Sequence, residues 1–135
     1  MTFSVDKSII EPPGVFRAVL HGSNSFEVSL ENAKTLAKRF QTQPLYGVII
    51  DYADCTLGHT MEQYRVVAEV FGKRLPKGLP FAYVYNSGQL AHVMYMTKLL
   101  NAQGLQARAF ADADAALQWS VEAGTQWRAR KGHAA

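Results

Sequence analysis

The chain holds a single cysteine, Cys55, which excludes an intrachain disulfide and any multi-cysteine zinc site, and suits a reducing compartment. It also lacks a cationic leader followed by an apolar segment at Met1–Lys7, and no apolar run approaches the ~20 residues that span a bilayer. A cytoplasmic protein without an integral membrane segment is therefore expected. Neither a G-x-G-x-x-G nor a G-x-x-x-x-G-K-[ST] phosphate loop is present. His21, His59 and His92 fall in a strand, a loop and a helix, and no pair has the short or i, i+4 spacing of metal ligands. No metal, no cofactor and no catalytic residue is expected. Internal repeats and low-complexity stretches are missing too, so all periodic segments must share one core.

What is present describes an ordinary folded domain: 135 residues, 48% hydrophobic and 19% charged, enough to bury one core and not two. The net charge of +3 comes from the C-terminal end. Without Arg128, Arg130 and Lys131 the remaining basic residues balance the 11 acidic ones. Nucleic-acid binding would place Lys and Arg across one folded face, so a nucleic-acid partner is not expected.

Residues 3 to 10 and 15 to 21 read as two strands around the turn Glu11-Pro12-Pro13-Gly14, where proline fixes φ and glycine accepts unusual dihedrals. In the second, Phe16, Ala18 and Leu20 alternate with Arg17, Val19 and His21, and Gly22-Ser23-Asn24-Ser25 breaks the pattern. Ser29 is placed as the N-cap of a helix to about Thr42, with Ala33, Leu36, Ala37 and Phe40 on one stripe. The apolar run Tyr46 to Ile50 reads as a strand buried on both faces and ending at Asp51. Thr60 and Gln63 have capping-box spacing, and Met61, Tyr64, Val67, Ala68, Phe71 and Leu75 recur at helical intervals up to Pro76.

Phe81 to Tyr85 makes a further strand, and Asn86-Ser87-Gly88 leads into a helix from about Gln89 to Gln103 with Gly104 as its C′ residue. Ala107 to Phe110 gives the last strand, and Asp112 caps a final helix ending at Gly124. Strands alternating with helices predict parallel pairing by crossover connections, entered from an N-terminal antiparallel hairpin. The third helix carries Val93-Met94-Tyr95-Met96 and is apolar around nearly its whole circumference. Such a helix needs cover on a second side, from which a homodimer using Met94 and Tyr95 is expected.

Three segments resemble the SpoIIAA-like proteins of the STAS superfamily, which is itself similar to the SEC14-type lipid-binding fold. They are Ala109-Phe110-Ala111-Asp112 with Ala115-Ala116-Leu117-Gln118-Trp119, the buried strand ending at Asp51 with eight residues before Thr60, and Tyr85-Asn86-Ser87-Gly88 leading into Leu90 to Leu100. The resemblance spans about Phe16 to Gly124. It implies an α/β SpoIIAA-like (STAS) fold: a mixed β-sheet with an N-terminal hairpin, βα repeats and four helices. Residues 1–124 would form this one domain and 125–135 a mobile basic tail.

The resemblance also implies a regulatory or protein-interaction module without enzymatic activity. In the anti-sigma-factor antagonists of this superfamily the loop after the central strand carries Asp-Ser-Ser-Gly, and its first serine is phosphorylated. Thr60 stands opposite that serine, with His59 in place of the aspartate and Met61-Glu62 in place of Ser-Gly. Thr60 is therefore expected to cap a helix rather than to act as a phosphosite. The candidate partner- or ligand-binding residues are Asp51, Asp54, His59, Thr60, Met94 and Tyr95. The SEC14-like relation implies an alternative: a carrier of a lipid or other small apolar ligand around the Met-rich third helix.

Overall fold

A computed structural model describes residues 3–133. Five strands form one sheet in the order β1-β2-β3-β4-β5. β1 (Ser4–Ile10) and β2 (Val15–Asn24) are antiparallel; β3 (Gly47–Leu57), β4 (Pro80–Val84) and β5 (Gln106–Phe110) follow β2 in parallel. The hairpin turn closes on Gly14, whose φ of 108° is a left-handed value that suits glycine. Its carbonyl accepts from Tyr46 N at 2.7 Å, which ties the turn to the start of β3.

Parallel strands need crossovers, and here each is a helix: α1 (Phe26–Thr42), α2 (Met61–Arg74) and α3 (Leu90–Ala102), the last after a short 3-10 turn. All three cover one face of the sheet. Their core contains Leu36 from α1, Val67 and Phe71 from α2, Val93 and Met96 from α3, and Phe16, Tyr52, Phe81 and Tyr83 from the strands. α4 (Ala113–His133) covers the other face, where Ala116 joins Val15, Ile49, Ala82 and Val84.

Several boundaries differ from those read in the sequence. β2 continues through Gly22-Ser23-Asn24, taken as a turn, because its alternation persists: Leu20, Gly22 and Asn24 are all buried. The α1 cap is therefore Ser25, whose Oγ accepts from Val28 N at 3.3 Å, and not Ser29. β3 does not end at Asp51. Beyond it the β4 pairing stops, but β2 pairing resumes after a bulge, from His21↔Asp54 to Asn24↔Leu57. The other edge of this extension is satisfied by side chains. Buried Gln89 donates Nε2 to the carbonyls of Tyr52 and Cys55 at 2.8 and 2.7 Å, and Asn86 Nδ2 donates to Ala53 O at 2.6 Å. The eight-residue loop expected before α2 shrinks to Gly58-His59-Thr60.

At the C-terminal end α4 runs past Gly124, where the sequence suggested a stop, and takes in most of the segment expected as a mobile tail. Gly124 is a place of close approach instead of a cap: a Cβ there would stand 3.0 Å from Tyr46 O. One turn later Trp127 is 6% exposed, edge-on to Tyr46 at 5.9 Å, and Arg128 donates to Pro13 O at 3.0 Å. Residues 125–128 thus pack on the body of the domain.

Candidate functional site

The N-terminal ends of α1, α2 and α3 gather a group of polar and aromatic side chains around the Gly58–Thr60 turn. Thr60 completes a capping box. Its Oγ1 accepts from Gln63 N at 3.2 Å, and Gln63 Oε1 accepts from Thr60 N at 2.9 Å, so two backbone donors at the helix start are satisfied reciprocally. Glu62 in the first turn pairs with Arg65, and that hydrogen bond holds its carboxyl below its ordinary value. The Glu62 charge, two residues from the Thr60 hydroxyl, is thus held in an ion pair with Arg65.

His59 points inward. It is 9% exposed, its Nε2 is hydrogen-bonded to Ser29 Oγ at 2.7 Å, and its ring stacks on Tyr64 at 5.0 Å with an interplanar angle of 16°. Tyr64 in turn meets His92 of α3 at 5.4 Å. Burial lowers the His59 pKa, and the His92 charge lowers it further against a weaker pull from Glu27. The ring is therefore neutral near pH 7. Burial likewise pushes the Tyr64 phenol up to about 12.

Behind this group lies an apolar cavity of about 90 Å³ between α1, α2 and the inner face of the sheet. Phe16, Leu20, Leu36, Tyr52, Val67 and Met96 supply its apolar wall; Asn24, Ser29, Asn32, His59 and Tyr64 supply polar groups. Lys7 and Arg39 also line it, and the Arg39 guanidinium lies over the Phe16 ring at 4.9 Å. Exposed Lys7 and Thr35 in the lining show that the cavity reaches the surface along β1 and α1.

The six residues singled out in the sequence fall in three places. Asp51 and Asp54 stand within β3: Asp51 Oδ1 accepts from Ala53 N at 3.1 Å, and exposed Asp54 lies 3.8 Å from His21 Nδ1. His59 and Thr60 form the turn before α2. Met94 and Tyr95 are on α3, where Met94 is 54% exposed and Tyr95 packs partly against the core. Of the neighbouring methionines only Met96 reaches the cavity, so the apolar space lies beneath α1 and α2 and not around the exposed face of α3. Cys55 is buried in β3 with its thiol pKa raised by burial, which makes it a poor nucleophile.

The sequence does not single out Asn24, Ser29 or Tyr64 as site residues. Asn24 sits in what reads as a turn, Ser29 reads as a cap, and Tyr64 falls on the apolar stripe of α2. Continuing the β2 alternation by two more steps, from Leu20 to Gly22 and Asn24, is the one signal that places Asn24 on the inner face.

The fold is shared by solved structures, among them these two. An anti-sigma factor antagonist from Mycobacterium paratuberculosis superposes with a TM-score of 0.59 at 16% identity, over 87% of this chain and 94% of that one. An uncharacterised protein of the DUF3478 family with a SpoIIAA-like fold, from Shewanella loihica PV-4, gives 0.55 at 15% identity over 87% and 93%. No family model matches the chain, and no curated protein matches it.

Proposed function

From a SpoIIAA-like (STAS) fold, we propose that the chain is a non-catalytic regulatory module that docks a protein partner through the first turns of α2 and α3. One observation carries this reading. Among the described residues the exposed large hydrophobic side chains are Met61 (56%), Leu90 (48%) and Met94 (54%), all within the first two turns of those helices. Leu90 and Met94, four residues apart, share one face of α3, exposed apolar patches mark interaction surfaces, and the carboxyl ends of parallel strands, where these turns lie, are where α/β domains bind. The Gly58–Thr60 turn and Tyr95 adjoin them. One structural neighbour bears a name that describes antagonism of another protein, which agrees with such a role. In this reading Thr60 holds the α2 terminus and carries no switch.

Affinity capture from native lysate, run in parallel with the wild type and with Met61→Asp/Met94→Asp, tests the reading. A protein enriched by the wild type and lost with the variant supports it; equal recovery by both overturns it. Sedimentation of the same pair covers the homodimer: a wild-type dimer that the variant dissolves makes the partner a second copy.

The cavity supports a second reading, binding of a small apolar ligand. Its wall is apolar on most sides and opens at α1, features of small-molecule sites. Native mass spectrometry of protein purified from its source tests it: added mass released on denaturation is expected, and bare protein that takes up nothing from a lipid extract or from small aromatic probes counts against it.

A further inference from the structure

Among the described residues four buried side-chain polar atoms have no hydrogen-bond partner: Asn24 Oδ1, His59 Nδ1, Tyr64 Oη and Ser120 Oγ. Ser120 belongs to α4, on the far face of the sheet. The other three belong to residues that line the apolar cavity, on side chains only 7%, 9% and 6% exposed. A desolvated polar atom without a partner raises the free energy of the folded state, and native proteins leave few of them. Three such groups on residues around one cavity, two of them on rings stacked at 5.0 Å, mark where a ligand's polar group would find partners.

We propose that this cavity binds a small uncharged molecule with an apolar body and a single hydroxyl-type group, the hydroxyl seated against Asn24, His59 and Tyr64. The inference rests on the second reading above, that the cavity is a ligand site. The seat contains no charged side chain: Asn24 and Tyr64 are neutral, and buried His59 resists protonation. Of the cationic lining residues, Arg39 lies ten residues beyond Ser29 along α1, about 15 Å at the helical rise, and Lys7 pairs with Ala18, six residues before Asn24 on β2, so a carboxylate would be drawn to the other end. A hydroxyl both donates and accepts. It can donate to Asn24 Oδ1 and exchange a hydrogen bond with the Tyr64 phenol, and His59 Nδ1 takes whichever role its Nε2 bond to Ser29 leaves free.

Size restricts the body. About 90 Å³ is less than the ~150 Å³ apolar cavity that holds benzene, and the opening at Thr35 and Lys7 lets one ring project toward solvent. The ligand is therefore of single-ring size, not a long acyl chain enclosed from end to end.

Phenol and benzene, which differ by the hydroxyl alone, are the probes, each titrated into the full ¹⁵N-labelled chain and followed by amide shifts. Phenol is expected to bind at least tenfold more tightly than benzene, with shifts centred on Asn24, Ala33 and His59. Tyr64→Phe, which removes one orphaned oxygen and little else, should cut the preference to about threefold or less and leave benzene binding unchanged. Leu36→Trp, which fills the cavity, should abolish both, with circular dichroism checking its fold. Equal binding of phenol and benzene, or a preference untouched by Tyr64→Phe, overturns the polar seat and leaves the cavity a ligand site. Binding of neither probe to the wild type, or shifts confined to residues outside the cavity, overturns the ligand-site reading and this inference with it.

Discussion

The two faces of the sheet are packed with different materials. Under α4 the buried contact is made by Val15, Ile49, Ala82, Val84 and Ala116, small or branched residues that let a helix come close, with the Phe110–Trp119 ring pair only partly buried against them. Under α1, α2 and α3 it is made largely by rings: Tyr52 and Tyr83 at 5.2 Å, Phe81 and Tyr83 at 5.2 Å, Phe71 and Phe81 at 5.0 Å. Rings are stiff and meet edge to face or tilted, so they fill volume in large steps. The cavity and three of the four orphaned polar atoms lie on that side. One face is closed, and the other keeps a cavity.

The largest expected effect tests how α4 joins the two cores. Trp127 leaves the α4 face and packs in the aromatic core beside Tyr46. Trp127→Ala should cost about 3–5 kcal/mol, measured by urea unfolding, whereas an intact midpoint would show that the end of α4 contributes little. The sharpest contrast comes next. Ala116 and Ala33 are both 0% exposed, but only Ala33 lines the cavity. Ala116→Leu should cost about 1–3 kcal/mol by overpacking, while Ala33→Leu should cost less than about 1 kcal/mol. Equal losses would erase the difference between the faces.

Much of this architecture is legible in the chain. The hairpin turn at Pro12-Pro13-Gly14, the apolar run before Asp51, the Thr60/Gln63 capping box and the Asp112 cap each depend on neighbours in sequence, and each stands where local chemistry places it. The misses depend on distant partners. Asp51 reads as a strand end because nothing local shows that Gln89, 37 residues from Tyr52, satisfies the carbonyls of the extended β3. Gly124 reads as a stop because glycine commonly ends helices, while its role here is to let α4 pass Tyr46. The polar seat was hidden for the same reason: Asn24, Ser29, His59 and Tyr64 come from four elements that only the fold brings together.

Smaller effects refine the aromatic side. Thr60→Ala should lose about 1 kcal/mol as a broken cap and Thr60→Ser almost nothing, both readable from thermal melts. A loss well above that would give Thr60 a role beyond the cap. Smallest is the pH response of His59. Its folded pKa lies below the ordinary 6.5, so the folded chain binds fewer protons than the unfolded one once pH falls toward that value. The stability His59 contributes is complete above 6.5 and declines below it. Between pH 7.5 and 5.5 the wild-type urea midpoint should therefore fall more than that of His59→Asn, and parallel profiles would remove His59 as the cause.

The claim that this domain works by docking a protein on the first turns of α2 and α3 is tested most directly by hydrogen exchange on the full chain, with and without the partner that wild-type protein captures. Slowed exchange is expected at residues 59–64 and 90–95, around Met61, Leu90 and Met94, with the α4 face unchanged. Protection confined to β1 or to α4, with residues 59–64 and 90–95 unaffected, would contradict it.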